Sequence, residues 1–424
     1  MLGFMLDAMD VLLYVFALQT LRAEFGLSNA SAGLVSSATL VSSAAGGFLF
    51  GVLADRIGRK RSLIYSILLY SVASGGTALA RNFQELLLWR TLIGFGLGGE
   101  WATGAVLVAE SWPPEHRAKA IGLMQSGWAV GYILAAGVTA LVLPRFGWRP
   151  LFLTGILPAL LTLAIRRTVT EPAIWSERRA TSSVAALFRP PWARRTFLAT
   201  ALTTAVLFAY WGLFTWLPGF LSAPRETGGA GFSILRTSAW VIPVQLGAFF
   251  GYVSFGWMAD HMGRRPAFLV YMLGAALLVP IYGGMPRWME AHAETGLLLI
   301  GPLVGFLGSG YFSLFGAMLA ELYPTALRGA GQGFTYNSGR ALSALAPYLI
   351  GAAADRTGLG IALALNSGFF LLGALLIFTL PETKQTKLED VGPNARRFRV
   401  PILGLRHSAG VIRNSSQENN LGCG

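Results

Sequence analysis

The chain has 424 residues, 54% of them hydrophobic and 12% charged, with a formal net charge of +13. Soluble globular chains carry about a quarter charged residues and a water-facing surface this apolar aggregates, so the composition excludes an ordinary soluble domain and makes lipid the solvent. The basic excess does not mark a nucleic-acid binder, because it falls in short clusters between apolar runs rather than along one face of a domain.

A membrane span needs about 20 apolar residues to cross a core of about 30 Å. In chain order the apolar runs cover residues 2–21, 31–54, 62–80, 84–108, 118–143 and 150–165, then, after a polar stretch, 196–221, 235–259, 266–283, 295–322, 329–354 and 361–380. This predicts an all-α membrane protein of twelve transmembrane helices in two pseudo-symmetric six-helix bundles, residues 1–165 and 196–380. They are joined by a cytoplasmic central loop, 166–195, and followed by a cytoplasmic, disordered tail, 381–424. The first run begins almost at Met1, so a short cytoplasmic lead is expected to precede it. No cleavable signal peptide is evident. The lone Cys423 allows no intrachain disulfide and no thiol metal site.

Orientation follows from the loops. Of the 33 lysines and arginines, 23 fall in loops on the side of the N-terminus, against eight in the loops between. Positive loops stay inside, so both termini are expected in the cytoplasm of a cell inner membrane.

The halves repeat. Gly51-Val-Leu-Ala-Asp55-Arg56-Ile-Gly58-Arg59-Lys60 returns as Gly256-Trp-Met-Ala-Asp260-His261-Met-Gly263-Arg264-Arg265, and Ala109-Glu110 through Arg117 returns as Ala320-Glu321 through Arg328, at offsets of 205 and 211 residues. Parallel six-helix repeats are the trace of a transporter architecture whose substrate site lies near the midplane between the halves.

The Gly-X-X-X-Asp-Arg-X-Gly-Arg-Lys loop and its copy resemble the signature of the major facilitator superfamily. Arg90 through Gly94, Gly96, Gly98, Gly99 and Glu100 resembles that family's fourth-helix motif, and Pro381-Glu382-Thr383 resembles the ending of its sugar-porter-like members. The resemblance covers nearly the whole chain short of its tail. More narrowly, Asp7-Ala-Met-Asp10, Gly98-Gly99-Glu100-Trp101 and Glu110-Ser111-Trp112-Pro113 look like the proton-coupled carriers of sialic acid, lactate and related organic acids. The aromatic-acid symporters share the paired acids of the first span.

Ionisable groups inside a span are costly and call for a reason. Asp7 and Asp10 are three apart and share one helix face, where like charges repel and a proton is readily taken up. Proton coupling is assigned to Asp7, Asp10 and Glu100, with the alternative that the two aspartates sit in cytoplasmic water. Arg90 and Glu100 rise about 15 Å from each other along one helix and are not expected to pair. Arg90 is expected to attract an anion or to pair with an acid of the first span, the bland alternative being a buried ion pair joining helices one and four. Arg340 offers planar recognition of a carboxylate. Asn337, Gln125, Tyr132 and Gln245 complete the candidate substrate set, and Tyr14, Trp128, Trp211 and Tyr336 are softer cavity candidates.

The family resemblance implies gating by Asp55, Arg56, Arg59 and their counterparts Asp260 and Arg264. In that reading an aspartate bonds a nearby arginine and the N-terminus of a facing helix, and Glu110 with Arg117, and Glu321 with Arg328, brace the same side. The sequence holds no phosphate loop, metal cluster or nucleophile arrangement. The expectation is therefore a secondary active transporter, not an enzyme, monomeric in the lipid bilayer, without nucleic-acid partners or cofactors. A proton is its coupling ion and a small organic acid its substrate. A sugar or polyol porter and a drug:proton antiporter of the same fold remain as alternatives.

Overall fold

The computed structural model describes residues 2–111, 114–160, 162, 184–289, 292–324 and 327–383. Lipid cannot hydrogen-bond a free N–H or C=O, so each segment must satisfy its backbone internally, which a helix does. The described residues form α1 (Leu2–Phe25), α2 (Asn29–Ile57), α3 (Arg59–Thr77), α4 (Phe83–Ser111), α5 (Pro114–Phe146) and the short α6 (Trp148–Leu153), which runs on into a 3-10 turn. The second set is α7 (Ala193–Phe214), α8 (Leu217–Ser222), α9 (Ile234–Met262), α10 (Arg264–Trp288), α11 (Ala293–Ser309), α12 (Phe312–Glu321), α13 (Arg328–Ser343), α14 (Ala346–Thr357) and α15 (Leu359–Leu376).

Read as rods, α7–α8, α11–α12 and α13–α14 are each one span broken by a turn, which gives twelve rods in chain order. The sequence runs at 196–221, 295–322 and 329–354 show no such breaks, because a turn inside an apolar run leaves the hydropathy unchanged. Pro218 and Pro347 stand in the first turns of α8 and α14, where a missing N–H costs nothing. Among the described residues, seven segments are long and apolar enough by themselves to cross a membrane. The other rods are shorter, broken, or diluted by serine, glycine and charged residues. The outer surface is apolar: Phe48, Val72, Phe197 and Leu299 are 72%, 65%, 74% and 69% exposed, a belt that only lipid covers without cost. Most of the central loop, and the tail from residue 384, lie outside the described residues.

The repeat reaches the backbone. Gly58 joins α2 to α3 at φ 103°, ψ 155°, and Gly263 joins α9 to α10 at φ 103°, ψ 159°. Only glycine enters this region freely, so each half makes the same sharp helix-to-helix turn at the same place. The paired seams match as well. A Cβ on Gly98 of α4 would stand 1.8 Å from the Ser43 carbonyl oxygen of α2, and one on Gly305 of α11 would stand 1.8 Å from the Val244 carbonyl oxygen of α9. Backbones touch there because no side chain intervenes. Between the halves, α5 packs on α9 and α2 on α14.

Replacing Gly58 or Gly263 with alanine is expected to cost about 1–3 kcal/mol, read as a lowered Tm of the purified protein in detergent. An unchanged Tm in both variants would refute the requirement for glycine at these turns.

Candidate functional site

Asp7 and Asp10 of α1 and Arg90 and Glu100 of α4 are buried, all below 5% exposed. α1 presents Asp7 and Asp10 to different hydrogen-bonding neighbours, while the two carboxyl groups stay in electrostatic reach of each other. Neither acid is exposed at the surface.

Asp10 faces α3, α4 and α6. Its carboxylate accepts a short hydrogen bond from the Ser74 hydroxyl of α3 and lies in electrostatic reach of Arg90. Gly155, in the turn after α6, makes room for it, since a Cβ there would meet both Asp10 and Ser74. Arg90 donates from Nη2 to the Val11 carbonyl oxygen at 3.4 Å, and its guanidinium lies 4.9 Å from the Tyr14 ring. The Tyr14 hydroxyl in turn donates to the Ala32 carbonyl oxygen at 2.8 Å. The result is a buried electrostatic joint of α1 with α2, α3 and α4. Arg90 thus bonds from helix four to the backbone of helix one and lies over Tyr14, in electrostatic reach of Asp10 but without an ion pair to it, and it does not line the central cavity.

Asp7 turns the other way. Its carboxyl, that of Glu100 on α4 and the Tyr70 hydroxyl of α3 lie within mutual hydrogen-bonding reach. Tyr70 is near both acids without being aligned to either. Asp7 also lines a small cavity, about 60 Å³, walled by both halves. From the first half come Asp7, Thr39, Ser43, Gln125 and Trp128; from the second come Tyr210, Trp211, Tyr252, Phe312, Tyr336 and Arg340. Arg340 of α13 reaches the cavity from the far wall, in electrostatic reach of Asp7. Trp128 and Trp211 meet edge to face at 5.8 Å across the interface. Trp128 Nε1, Trp211 Nε1 and Gln125 Oε1 are buried without a hydrogen-bond partner. Each such atom carries a desolvation cost of about 1–3 kcal/mol that a bound polar ligand or waters would relieve. The volume holds a few waters, so the cavity is nearly collapsed.

Of the predicted substrate residues, Arg340 and Gln125 line this cavity. Tyr132 does not: its hydroxyl donates to the Phe214 carbonyl oxygen at 2.8 Å, tying α5 to the end of α7. Asn337 bonds back to the Gly333 carbonyl oxygen and faces Gly47 of α2. Gln245 is buried in α9 away from the cavity. Trp128, Trp211 and Tyr336 do line it, whereas Tyr14 belongs to the Arg90 joint. Tyr70, Ser74, Tyr210 and Tyr252 were missed, for a hydroxyl in an apolar run gives no sign of which neighbour it meets.

At the end carrying the α2–α3 turn, the side chains of Asp55, Arg59, Glu110 and Arg117 lie outside the described residues, and Arg56 is exposed. In the second half, Asp260 pairs with Arg264 at 2.6 Å, and Arg264 reaches Glu321 at 3.6 Å. Arg328 lies in electrostatic reach of Glu321. The α10 N-terminus is capped by Glu382, whose oxygens accept from the Arg264 and Arg265 backbone N–H groups at 2.9 Å each. Glu321 also accepts from the Thr383 hydroxyl. The Pro381-Glu382-Thr383 ending thereby fastens the end of the second half to its own α9–α10 turn.

At the opposite end, the halves are tied. Asp355 of α14 accepts from the backbone N–H of Asn29 at 3.0 Å, from Asn29 Nδ2 at 2.7 Å and from the Ala30 N–H at 2.9 Å. A carboxylate on a helix N-terminus meets both free donors and the positive end of the dipole. Gly33 of α2 meets the Pro347 carbonyl closely, and Gln19 Nε2 donates to the Gly219 carbonyl oxygen at 3.4 Å. This end is shut.

Residues 1–243 and 230–412 match the family model described as Major Facilitator Superfamily. The chain is 33% identical over 401 residues to a "Probable 4-methylmuconolactone transporter" of Cupriavidus pinatubonensis, covering 92% of this chain and 91% of that protein. It is 30% identical over 385 residues to the sialic acid transporter NanX of Escherichia coli, covering 90% and 92%. A crystal structure of a D-xylose-proton symporter superposes with a TM-score of 0.73 at 20% identity, over 90% of this chain and 97% of that one; this likeness speaks for the fold alone.

Replacing Arg90 with Gln is expected to destabilise the protein by about 1–3 kcal/mol, because it takes the donor from the Val11 carbonyl and the nearby positive charge from Asp10. Adding Asp10→Asn should restore part of the loss. Thermal unfolding of both single variants and the double variant checks this, and additive losses would refute the coupling.

Proposed function

We propose that this chain, which belongs to the major facilitator superfamily and is a secondary transporter rather than an enzyme, carries a small organic anion together with a proton by alternating access. One observation carries the reading: Arg340 and Asp7 face one cavity between the halves, and Asp7 is backed by Glu100 and Tyr70. The arginine is the anchor for a carboxylate, by a planar pair of donors. Gln125, Trp128 and Trp211 present the unpartnered polar atoms that orient the rest of the substrate.

Two carboxyl groups in hydrogen-bonding reach inside a dry bundle hold together through a shared proton. Asp7 is the member open to the cavity and so the one that exchanges its proton with water. Deprotonated, Asp7 attracts Arg340 across the cavity and draws the halves together. Proton and substrate anion relieve that attraction jointly, each from its own partner, which links their binding through one conformational equilibrium. The Asp10–Arg90 joint keeps α1 fixed against α4 while the halves move.

The loop charges put the Gly58 and Gly263 turns on the cytoplasmic side of the cell inner membrane, with both termini there and the Asp355 tie on the outer side. The chain acts as a monomer, with the lipid bilayer as its surroundings and no cofactor besides the coupling proton. A relative named for sialic acid transport supports an acid as substrate.

Uptake into proteoliposomes under an imposed pH gradient tests this, with sialic acid, lactate and aromatic acids as the panel. Accumulation of at least one acid is expected only with the outer side acidic. Asp7→Asn should abolish accumulation yet keep exchange, and Arg340→Gln should raise KM at least tenfold for an acid while sparing the fold. No pH-driven uptake of any acid by the wild-type protein would sink the reading.

A further inference from the structure

A second recess, of about 690 Å³, opens at the end closed by Asp355. It has the size of a ligand pocket, typically about 300–1,000 Å³, where the central cavity has about 60 Å³. It lies over the seam between the halves. Arg22 and Ala23 of α1 and Asn29 of α2 form one wall; Glu226, Arg287, Asp355 and Arg356 come from the other half.

The charges of this recess do not cancel. Arg22 donates to neutral acceptors, the Leu27 carbonyl at 3.2 Å and Gln19 Oε1 at 3.1 Å. Arg287 donates to the Thr357 carbonyl at 3.5 Å. Asp355 stands near Arg22, but its oxygens are committed to the amides at the start of α2, whose positive pole already answers its charge. Glu226 sits on a 3-10 turn at the rim, exposed like Arg287 and Arg356, so it offsets one of the arginine charges. Three arginines thus face a concave space with one uncommitted acid at its edge. Concave walls of low dielectric concentrate such a field and raise the local concentration of the opposite ion.

The geometry points to an anion-docking antechamber in this recess, where a small carboxylate is held by Arg22, Arg287 and Arg356 before the seam beneath it opens. The ligand class and the outer placement rest on the function proposed above. The floor is the tie between the halves, Gln19 to Gly219 and Asp355 to α2. An anion captured here therefore waits directly above the contacts whose release leads to the central cavity. Arginine suits the task, since its planar fork takes a carboxylate with two parallel bonds.

Ala23 is exposed and lines the recess, so Ala23→Cys in a Cys423→Ser background is a gentle reporter. The protein, in nanodiscs of phosphatidylcholine, is labelled with a sulfonate-bearing and a trimethylammonium-bearing methanethiosulfonate, each rate being divided by that reagent's rate with free mercaptoethanol. The anionic reagent is expected to gain at least fivefold over the cationic one at low salt. Arg22→Gln combined with Arg356→Gln, or salt at about 1 M, should bring the ratio near one, and millimolar benzoate should slow the anionic label in the wild-type background.

A ratio near one at low salt, or a ratio indifferent to both substitutions, overturns the antechamber. So does loss of benzoate protection in nanodiscs containing phosphatidylglycerol, which would assign the recess to a lipid headgroup. The labelling does not depend on transport. Selective labelling with no acid uptake would leave the recess standing and remove the symport reading; uptake without selective labelling would do the reverse.

Discussion

A charge buried in an apolar bundle has neither water nor counterions to answer it, so every ionisable side chain inside the spans fixes what must lie beside it. Asp10 requires Ser74 and the field of Arg90, and Arg90 in turn requires Tyr14 and the Val11 carbonyl. Those demands set how α1 lies against α3 and α4. Once α1 is placed, the position of Asp7 follows, because three residues along a helix set a side chain about 60° round the axis and about 4.5 Å along it from its neighbour. Asp7 then reaches Glu100 and Tyr70 on one side and the central cavity on the other.

This division separates rigid from movable parts. The joint around Arg90 lies wholly within the first half and holds its helices in one arrangement. The contacts around the central cavity run between halves: the Trp128–Trp211 edge, the field between Asp7 and Arg340, and the Tyr132–Phe214 bond. Alternating access needs contacts of this second kind, strong enough to define a state and few enough to break. The Asp355 tie is of the same kind. It uses a helix pole rather than a side-chain cation, so its release frees two backbone amides that water can satisfy at once.

Much of the architecture was legible in the sequence. A span is a one-dimensional signal, and so is a repeat. Gly58 and Gly263 share a motif position, and they share a backbone conformation within a few degrees, because only glycine tolerates that turn. The site was legible in part. Arg340, Gln125 and Asp7 stand out as polar residues in apolar runs, and all three line the cavity. Arg90 stood out equally and does not line it. Tyr132 and Asn337 look like binding residues, but the Tyr132 hydroxyl and the Asn337 amide nitrogen donate to backbone carbonyls, and neither residue lines the cavity. Tyr70 and Ser74 passed unnoticed among the small and aromatic residues of α3.

By itself, then, the sequence determined that this chain lives in lipid, that it is doubled, and that a few buried charges need partners. These follow from transfer free energies and local backbone preferences, which each residue carries wherever it sits. Tertiary structure decided which partner each charge found, where the helices break, and which end of the seam is closed. Those outcomes depend on the angle at which one helix meets another, and a partner 64 residues away, as Ser74 is from Asp10, or 326 away, as Asp355 is from Asn29, leaves no local mark on either residue. The paired aspartates of the first span show the difference. Their burial was written in the apolar run around them, but their separate tasks came from the helices packed on either side.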